Sequence, residues 1–302
     1  MKNKLIQILI FVIFLSLVFK SNLILAEVSN AINTFINILF PSIFPFYLIS
    51  NILINYNFCE TLNKYFSRIT NFLFHTSNAS NFVIIMSIFS GFPSGSKYIT
   101  DLYKKNILSL DQANYLITFT HFSNPLFVMA VTKPIFNNIK ISYLILFAHI
   151  FANIIIGIII RPKEKEKKTN IELNITDSFS NILSNSIISS LKLLAIILGN
   201  TCFFFIVTKL IVTYIDLSPI QNILINGLFD ITKGMNSITI ISNNIFKAIL
   251  SLTFLGFGGI NIHMQVLNII DNTKIKYKNF LLGRISQVGI SIILFSIIYH
   301  FL

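Results

Sequence analysis

Gly91-Phe92-Pro93-Ser94-Gly95-Ser96-Lys97 interrupts an apolar run, Phe82–Phe89, that is too short to cross a bilayer. A helix rises about 1.5 Å per residue and the hydrocarbon core is about 30 Å thick, so that run reaches less than halfway. Two glycines, a proline, two hydroxyls and a lysine follow it. Such a break at membrane depth is tolerated only where the freed backbone is buried in protein or lines a wet cavity. Working outward, a second interruption stands in the other half of the chain, at Gly256-Phe257-Gly258-Gly259-Ile260-Asn261-Ile262-His263. Paired interruptions of this kind point to the binding site of a carrier. The expected fold is an all-α polytopic membrane protein of two halves, arranged as inverted repeats, each with a broken or re-entrant helix.

Composition excludes a soluble domain: 54% of the 302 residues are hydrophobic and 11% charged. The net charge of +12 does not call for nucleic acid. The lysines lie in short loops between apolar spans, the distribution that the positive-inside rule produces, and they face anionic lipid. Cys59 and Cys202 sit in different halves without metal-ligand spacing. No Ser/His/Asp set, carboxylate pair or metal cluster is arranged for catalysis, so neither an enzyme nor a bound cofactor is expected. Homo-oligomerisation is left open.

The whole chain, 1–302, reads as one membrane domain. Residues 1–27 form a first transmembrane helix with its N-terminus inside, and 28–160 form the N-terminal half. A basic cytoplasmic linker occupies 161–178 and the C-terminal half 179–302. Val28–Tyr56 is a long segment bent by Pro41 and Pro45, and Cys59–Ser80 reads as an interfacial amphipathic helix. A third irregular spot, His121-Phe122-Ser123-Asn124-Pro125, precedes the clean span Ile141–Ile160. After the linker come Ile182–Val212, a weaker amphipathic region at Ile220–Asn243, the second break, and a last span at Gly283–Leu302. Five crossings in the first half would invert the second. That inversion would also place Lys274, Lys276 and Lys278 on the outside, against the charge rule.

The candidate substrate-binding residues follow from the breaks. Ser94 suits a helix N-cap after Pro93, and Gly91 and Gly95 let a ligand approach the backbone, with Ser96 beside them. Unpaired N–H groups and the positive end of the helix dipole then attract a carboxylate or phosphate. Lys97 adds a full charge or snorkels to the interface. Ser123 and Asn124 belong to the third interruption. Gly258 and Gly259 supply a flexible turn, and Asn261, His263 and Gln265 supply polar groups. His263 relays protons or binds a carboxylate, or it stays neutral and bonds a neighbouring helix. Arg284 pairs with substrate or with lipid phosphate. The spacing of the first break is not that of a nucleotide-binding P-loop, and no strand precedes it.

Leu39–Phe46, Ser90–Lys97, Ser123–Phe127 and Phe257–Gln265 together resemble the sporulation integral membrane proteins of endospore-forming bacteria, relatives of the nucleoside-recognition Gate membrane proteins. The resemblance runs from about Ala31 to Gly283. It implies a stage V sporulation protein that moves dipicolinate, a small anionic substrate, across the outer forespore membrane. It also implies paired re-entrant elements like those of concentrative nucleoside transporters. Two other readings stand beside it: a carrier of a neutral solute such as a nucleoside, and a non-transporting scaffold for spore-envelope assembly.

The linker generates a test of orientation, since the five Lys/Arg of Arg161–Lys168 are costly to translocate. Single cysteines placed there, in a variant lacking Cys59 and Cys202, should resist a membrane-impermeant maleimide in intact cells. Rapid labelling from outside would reverse the orientation.

Overall fold

The computed structural model describes residues 2–56, 58–76, 78–164 and 178–301. Most of the expected linker, 165–177, lies outside the described residues. All described secondary structure is helical. Helix α1 (Lys2–Phe19) precedes the first repeat, which opens with α2 (Ser21–Thr34), a short π-type segment (Phe35–Leu39) and α3 (Phe40–Asn55). The chain turns at Lys20, so the second long segment begins earlier than Val28. Then follow α4 (Phe58–Phe74), α5 (Asn78–Ser90), α6 (Ser94–Lys104), α7 (Leu110–Phe119), α8 (Pro125–Thr132) and α9 (Ile139–Ile159). The second repeat holds α10 (Phe179–Tyr214), α11 (Pro219–Phe229), α12 (Ile231–Ser237), α13 (Asn244–Phe257), α14 (Gly259–Ile270) and α15 (Tyr277–Tyr299). Among the described residues five helices are long and apolar enough to cross a membrane: Ser21–Asn55, α9, α10, Asn244–Ile270 and α15.

Corresponding helices of the two repeats lie side by side and run in opposite directions. On α15, Arg284 bonds Asn153 of α9 and Gln287 bonds His149, so the contacts ascend one helix while descending the other. Counted from the first residue of each helix, His149 and Gln287 occupy the same position. They mark the local two-fold axis, near the midpoint of both spans. The α2–α3 span and α10 behave alike: Glu27 pairs with Lys209, while Asn51 and Asn55 share a cleft with Asn185 and Ser189. Remaining contacts are exchanged in the same way. Helix α6 packs on α14 and α12 on α8; α7 packs on α15 and α13 on α9. Inverted repeats predict this reciprocity.

The faces can now be followed. Lys276 N–H donates to Asn114 Oδ1 at 2.8 Å, placing the starts of α7 and α15 together. His75 contacts the Pro162 carbonyl, and Arg161 donates to the carbonyls of Phe72 and Leu73, bringing the ends of α4 and α9 together. Antiparallel packing of α9 and α15 puts all four ends on one face, the linker face. Helices α5 and α6 form a hairpin that enters and leaves by that face, and α7–α8 crosses. Helices α11 and α12 form the matching hairpin on the opposite face, and α13–α14 crosses back. Lys274, Lys276 and Lys278 therefore share a face with Lys104, Lys105 and Arg161. This corrects the expected conflict between inversion and charge. With α7–α8 taken as a broken span beside α2–α3 and α9, the described residues of the first repeat make three crossings, an odd number that inverts the second.

Helix α4 turns through 92° relative to α5 and exposes Tyr65, Phe66, Ile69 and Phe72 while burying Leu62, Thr70 and Phe74. That pattern suits a helix lying in the interface. Helix α1 exposes Ile8, Phe11, Phe14 and Val18, an apolar surface that lipid covers. Between packed helices the closest approaches use glycine, as in other membrane bundles. A Cβ at Gly157 would meet the ring of Phe119 at 2.7 Å, and one at Gly283 would collide with the Thr118 carbonyl.

Gly283→Ala should therefore lower stability in detergent by about 1–3 kcal/mol, by pushing α15 away from α7. Gly289→Ala, on the same helix with nothing near its Cβ position, should leave stability unchanged or slightly raised. Thermal unfolding of both variants checks the contrast.

Candidate functional site

Four helix interruptions meet in the middle of the bundle. At the first, Gly91 has a φ of +71°, and a Cβ there would come within 2.7 Å of the Asn124 N. Glycine is the residue that both the dihedral and the approach require. Gly95 is equally confined, by the Thr120 carbonyl and Ser87 Oγ. The second interruption spans Thr120–Asn124, and the two dock directly: Phe92 N–H donates to the Phe122 carbonyl at 2.8 Å. Asn124 Oδ1 caps α8 by accepting from Phe127 N–H at 2.7 Å, and its Nδ2 donates to the Ser42 carbonyl on α3. At the third, Asp230 caps α12, accepting from the N–H groups of Thr232 and Lys233 and from the Thr232 hydroxyl. At the fourth, Gly258 takes a φ of +93° and joins α13 to α14.

Element order sets the correspondence between halves. The Gly91–Pro93 break, between the arms of the first hairpin, matches Asp230 in the second hairpin. The His121–Asn124 break, within the first broken span, matches Gly258. This corrects the pairing expected from glycine content, which sets Gly91–Lys97 opposite Gly256–His263. It also corrects the reading of the segment around Asp230 as a weak amphipathic region. A signal for Asp230 does exist in the sequence: an Asp followed by Thr two residues on, inside an apolar stretch, is an N-cap pattern.

These breaks enclose a cavity of about 30 Å³, room for roughly two water molecules. Its lining comes from both repeats in equivalent pairs. Leu39 and Ile43 of the α2–α3 span match Ile197 and Thr201 of α10, position for position. Pro93 precedes α6 as Asp230 precedes α12. Phe92, Asn124 and Phe127 close one side, and Thr232, Asn261, Ile262 and Gln265 the other. The Asp230 carboxylate is 4% exposed and accepts from Asn261 Nδ2 at 2.7 Å. Asn261 in turn contacts Thr201 Oγ1 and accepts from Gln265 Nε2. Gln265 Oε1 is buried without a partner among the described residues.

Of the residues singled out in sequence, Pro93, Asn124, Asn261 and Gln265 line the cavity. Gly91, Ser94 and Gly95 are buried just behind it, and Gly259 packs against the Phe229 carbonyl. Ser96 contacts His121 Nε2 at 2.5 Å, and Ser123 N–H bonds His149. Lys97 lies outside the cavity: its ammonium pairs with Asp101 at 2.7 Å and its side chain is 34% exposed. His263 bonds the Tyr277 hydroxyl and the Phe257 carbonyl, tying α14 to α15. Arg284 is 2% exposed, donates to the His121 carbonyl at 2.8 Å and to Asn153 Oδ1 and Gln287 Oε1, and stacks over Phe280. No carboxylate reaches it among the described residues.

Two polar clefts flank the cavity along the α2–α3/α10 pair. One, of about 300 Å³, lies toward the linker face and is lined by Asn51, Asn55, Asp101, Lys104, Lys105, Asn185 and Ser189. The other, of about 500 Å³, lies toward the opposite face, among Glu27, Asn30, Asn33, Asn226 and Lys233. Along the α2–α3 span the first cleft begins eight residues beyond Ile43, at Asn51, and the second ends five residues before Leu39, at Thr34, or roughly 12 and 8 Å of helix. Leu39, Ile43 and Ile197, all buried, line the cavity between the two clefts.

No protein-family model matches this chain. No solved structure matches it either. The sporulation integral membrane protein YlbJ of Bacillus subtilis (strain 168) is 24% identical over 291 residues, covering 83% of this chain and 71% of that protein. That likeness supports a sporulation integral membrane family, in line with the motifs.

The cleft arrangement is open to a direct check in sealed vesicles of both orientations, with Cys59 and Cys202 removed. Asn55→Cys and Asn33→Cys should react with an impermeant maleimide from opposite sides of the membrane. Thr201→Cys, in the buried cavity, should react much more slowly from either. Labelling of both cleft positions from the same side would refute the two-cleft arrangement.

Proposed function

We propose that this chain is a carrier that moves a small organic anion by alternating access, with dipicolinate at the outer forespore membrane as the substrate and setting. The observation that carries the reading is a small cavity lined by buried residues on the two-fold axis of inverted repeats, between clefts on opposite faces. A scaffold needs no such cavity, and the described residues assemble no catalytic set. Support for an anion comes from the helices that start at the cavity wall. Residues at the N-terminal ends of α6, α8 and α14 line it, and helix N-termini attract negative charge. Arg284 adds a buried cation behind the second break. Phe92 and Phe127 supply edges and faces for a flat ring.

One observation favours a neutral solute instead. The cavity wall itself carries no lysine or arginine, and its polar groups are amides, hydroxyls and one carboxylate. A nucleoside suits such a wall. In either case the cavity must widen before a ring enters, which requires the two hairpins, α5–α6 and α11–α12, to move apart. Such hairpins, packed mainly on side chains across the axis, are the natural moving parts of a repeat-built carrier.

The test is uptake into proteoliposomes containing only this protein, with labelled dipicolinate and labelled uridine compared in parallel. Saturable dipicolinate uptake that uridine does not inhibit supports the anion reading; the reverse supports the nucleoside reading, and uptake of neither supports the scaffold. Gln265→Leu, which removes the unpartnered carbonyl together with the bond to Asn261, should raise the KM about tenfold and cost about 1–3 kcal/mol of stability.

A further inference from the structure

Asp230 is a charge that the carrier reading does not use. It lines the cavity, is buried, and sits where an incoming anion would lie. Its Oδ1 is committed to the α12 cap, through Thr232 and Lys233 N–H. Its Oδ2 accepts only from Asn261 Nδ2 and borders the cavity. A second observation points the same way: Gln265 Oε1, one side chain further along the same network, is buried with nothing to accept. The carboxylate and the amide oxygen belong to one hydrogen-bonded network through Asn261, and that network lacks a donor for Gln265 Oε1 among the described residues.

We propose that Asp230 is the proton-coupling residue of this carrier, a reading that rests on the transport function above. An anion brought beside an ionised Asp230 is repelled, and one brought beside its protonated form is not. Proton and substrate therefore favour each other's binding by the same factor. The proton arrives from water in the 500 Å³ cleft and bonds to Oδ2. Asn261 Nδ2 gives up that acceptor, and the new O–H donates to Gln265 Oε1. Release on the other side returns the proton to water and the Asn261 bond to Oδ2. No electron moves, and one proton accompanies each cycle.

The surroundings of Asp230 make it the group that changes charge. From its own helix Lys233 approaches, but its ammonium is held by Glu27 at 2.8 Å and by the Phe205 carbonyl. From α2 comes Glu27, and from α10 Lys209, which also pairs with Glu27. Helices α8 and α11 carry no titratable side chain. On α14, His263 is turned to Tyr277 and the Phe257 carbonyl, away from the cavity. Glu27 is shared between the two lysines, Lys247 of α13 donates to the Ile135 carbonyl, and no basic group lies within ion-pair distance of Asp230 among the described residues. A sodium ion is disfavoured because Asp230 Oδ2, Gln265 Oε1 and Thr201 Oγ1 supply about half of the oxygens such an ion takes.

The experiment uses Asp230→Asn, which keeps a good N-cap and nearly the same volume but cannot ionise. In proteoliposomes loaded with the full-length protein, accumulation of labelled dipicolinate driven by an imposed pH gradient is compared with dipicolinate exchange at equilibrium. The ratio of accumulation to exchange should fall about tenfold or more in the variant, while an imposed sodium gradient drives neither protein. An unchanged ratio, or accumulation driven by sodium in the wild type, overturns the proposal. If the wild type moves no dipicolinate at all, the transport reading fails on its own account, and Asp230 is then judged without substrate. Infrared difference spectra of the purified protein in lipid, over a pH series, should show a protonated-carboxyl band that Asp230→Asn removes. Absence of that band in the wild type overturns the proposal.

Discussion

Everything in this fold depends on one constraint: a backbone amide exposed at membrane depth must find a partner inside the protein. Four interruptions break the helical ladder near the centre of the bundle, and hydrogen bonds within the protein close them. Phe92 N–H takes the Phe122 carbonyl, Ser123 N–H takes His149, and the His121 carbonyl accepts from both Asn153 and Arg284. Asn124 reaches across to Ser42, and His263 reaches back to Phe257. The first two breaks draw on each other and on α3, α9 and α15. The interruptions must therefore cluster, and clustering them on the axis creates the cavity.

The same constraint explains the polarity of the core. Bundles in lipid gain little from apolar burial between helices, so packing and interhelical hydrogen bonds hold them. Here the bonds run through His149, Asn153, Arg284 and Gln287, where α9 and α15 cross the axis. Arg284 is tolerated without a carboxylate because carbonyl dipoles, two amide oxygens and the face of Phe280 surround it. Its placement at the second break makes it a structural clamp as well as a source of positive potential.

Much of this architecture is legible in residue types. Gly91, Pro93, Gly258 and Gly259 punctuate apolar runs, and glycine or proline at membrane depth marks a turn, a kink or a close approach of backbones. Asp230 escapes sequence reading because no glycine or proline flags its break, and one acid in a polar-flecked stretch looks interfacial. Matching the halves by glycine content fails for a related reason: the repeats share the order of hairpin, broken span and span, not the residues at each break. Lys97 stands out in the sequence as a free charge although Asp101 stands four residues on, the spacing of a helical ion pair. Its partner is visible in the sequence, and the spacing alone is enough to assign it.

The two repeats agree in backbone and differ in charge, and the difference falls on the walls of the clefts. Glu27 with Lys209 and Lys233 ties α2, α10 and α12 together at the wall of one cleft. The residues in equivalent positions on the other side are Asn185, Asn51 and Ser96, all uncharged. Dissolved ions weaken attraction between opposite charges far more than they weaken amide and hydroxyl contacts. One mouth of the molecule is thus held by forces that the surrounding electrolyte can loosen, and the other is not. A molecule so built does not rest evenly between its two postures. The ionic strength of the compartment it faces becomes part of what sets its resting state.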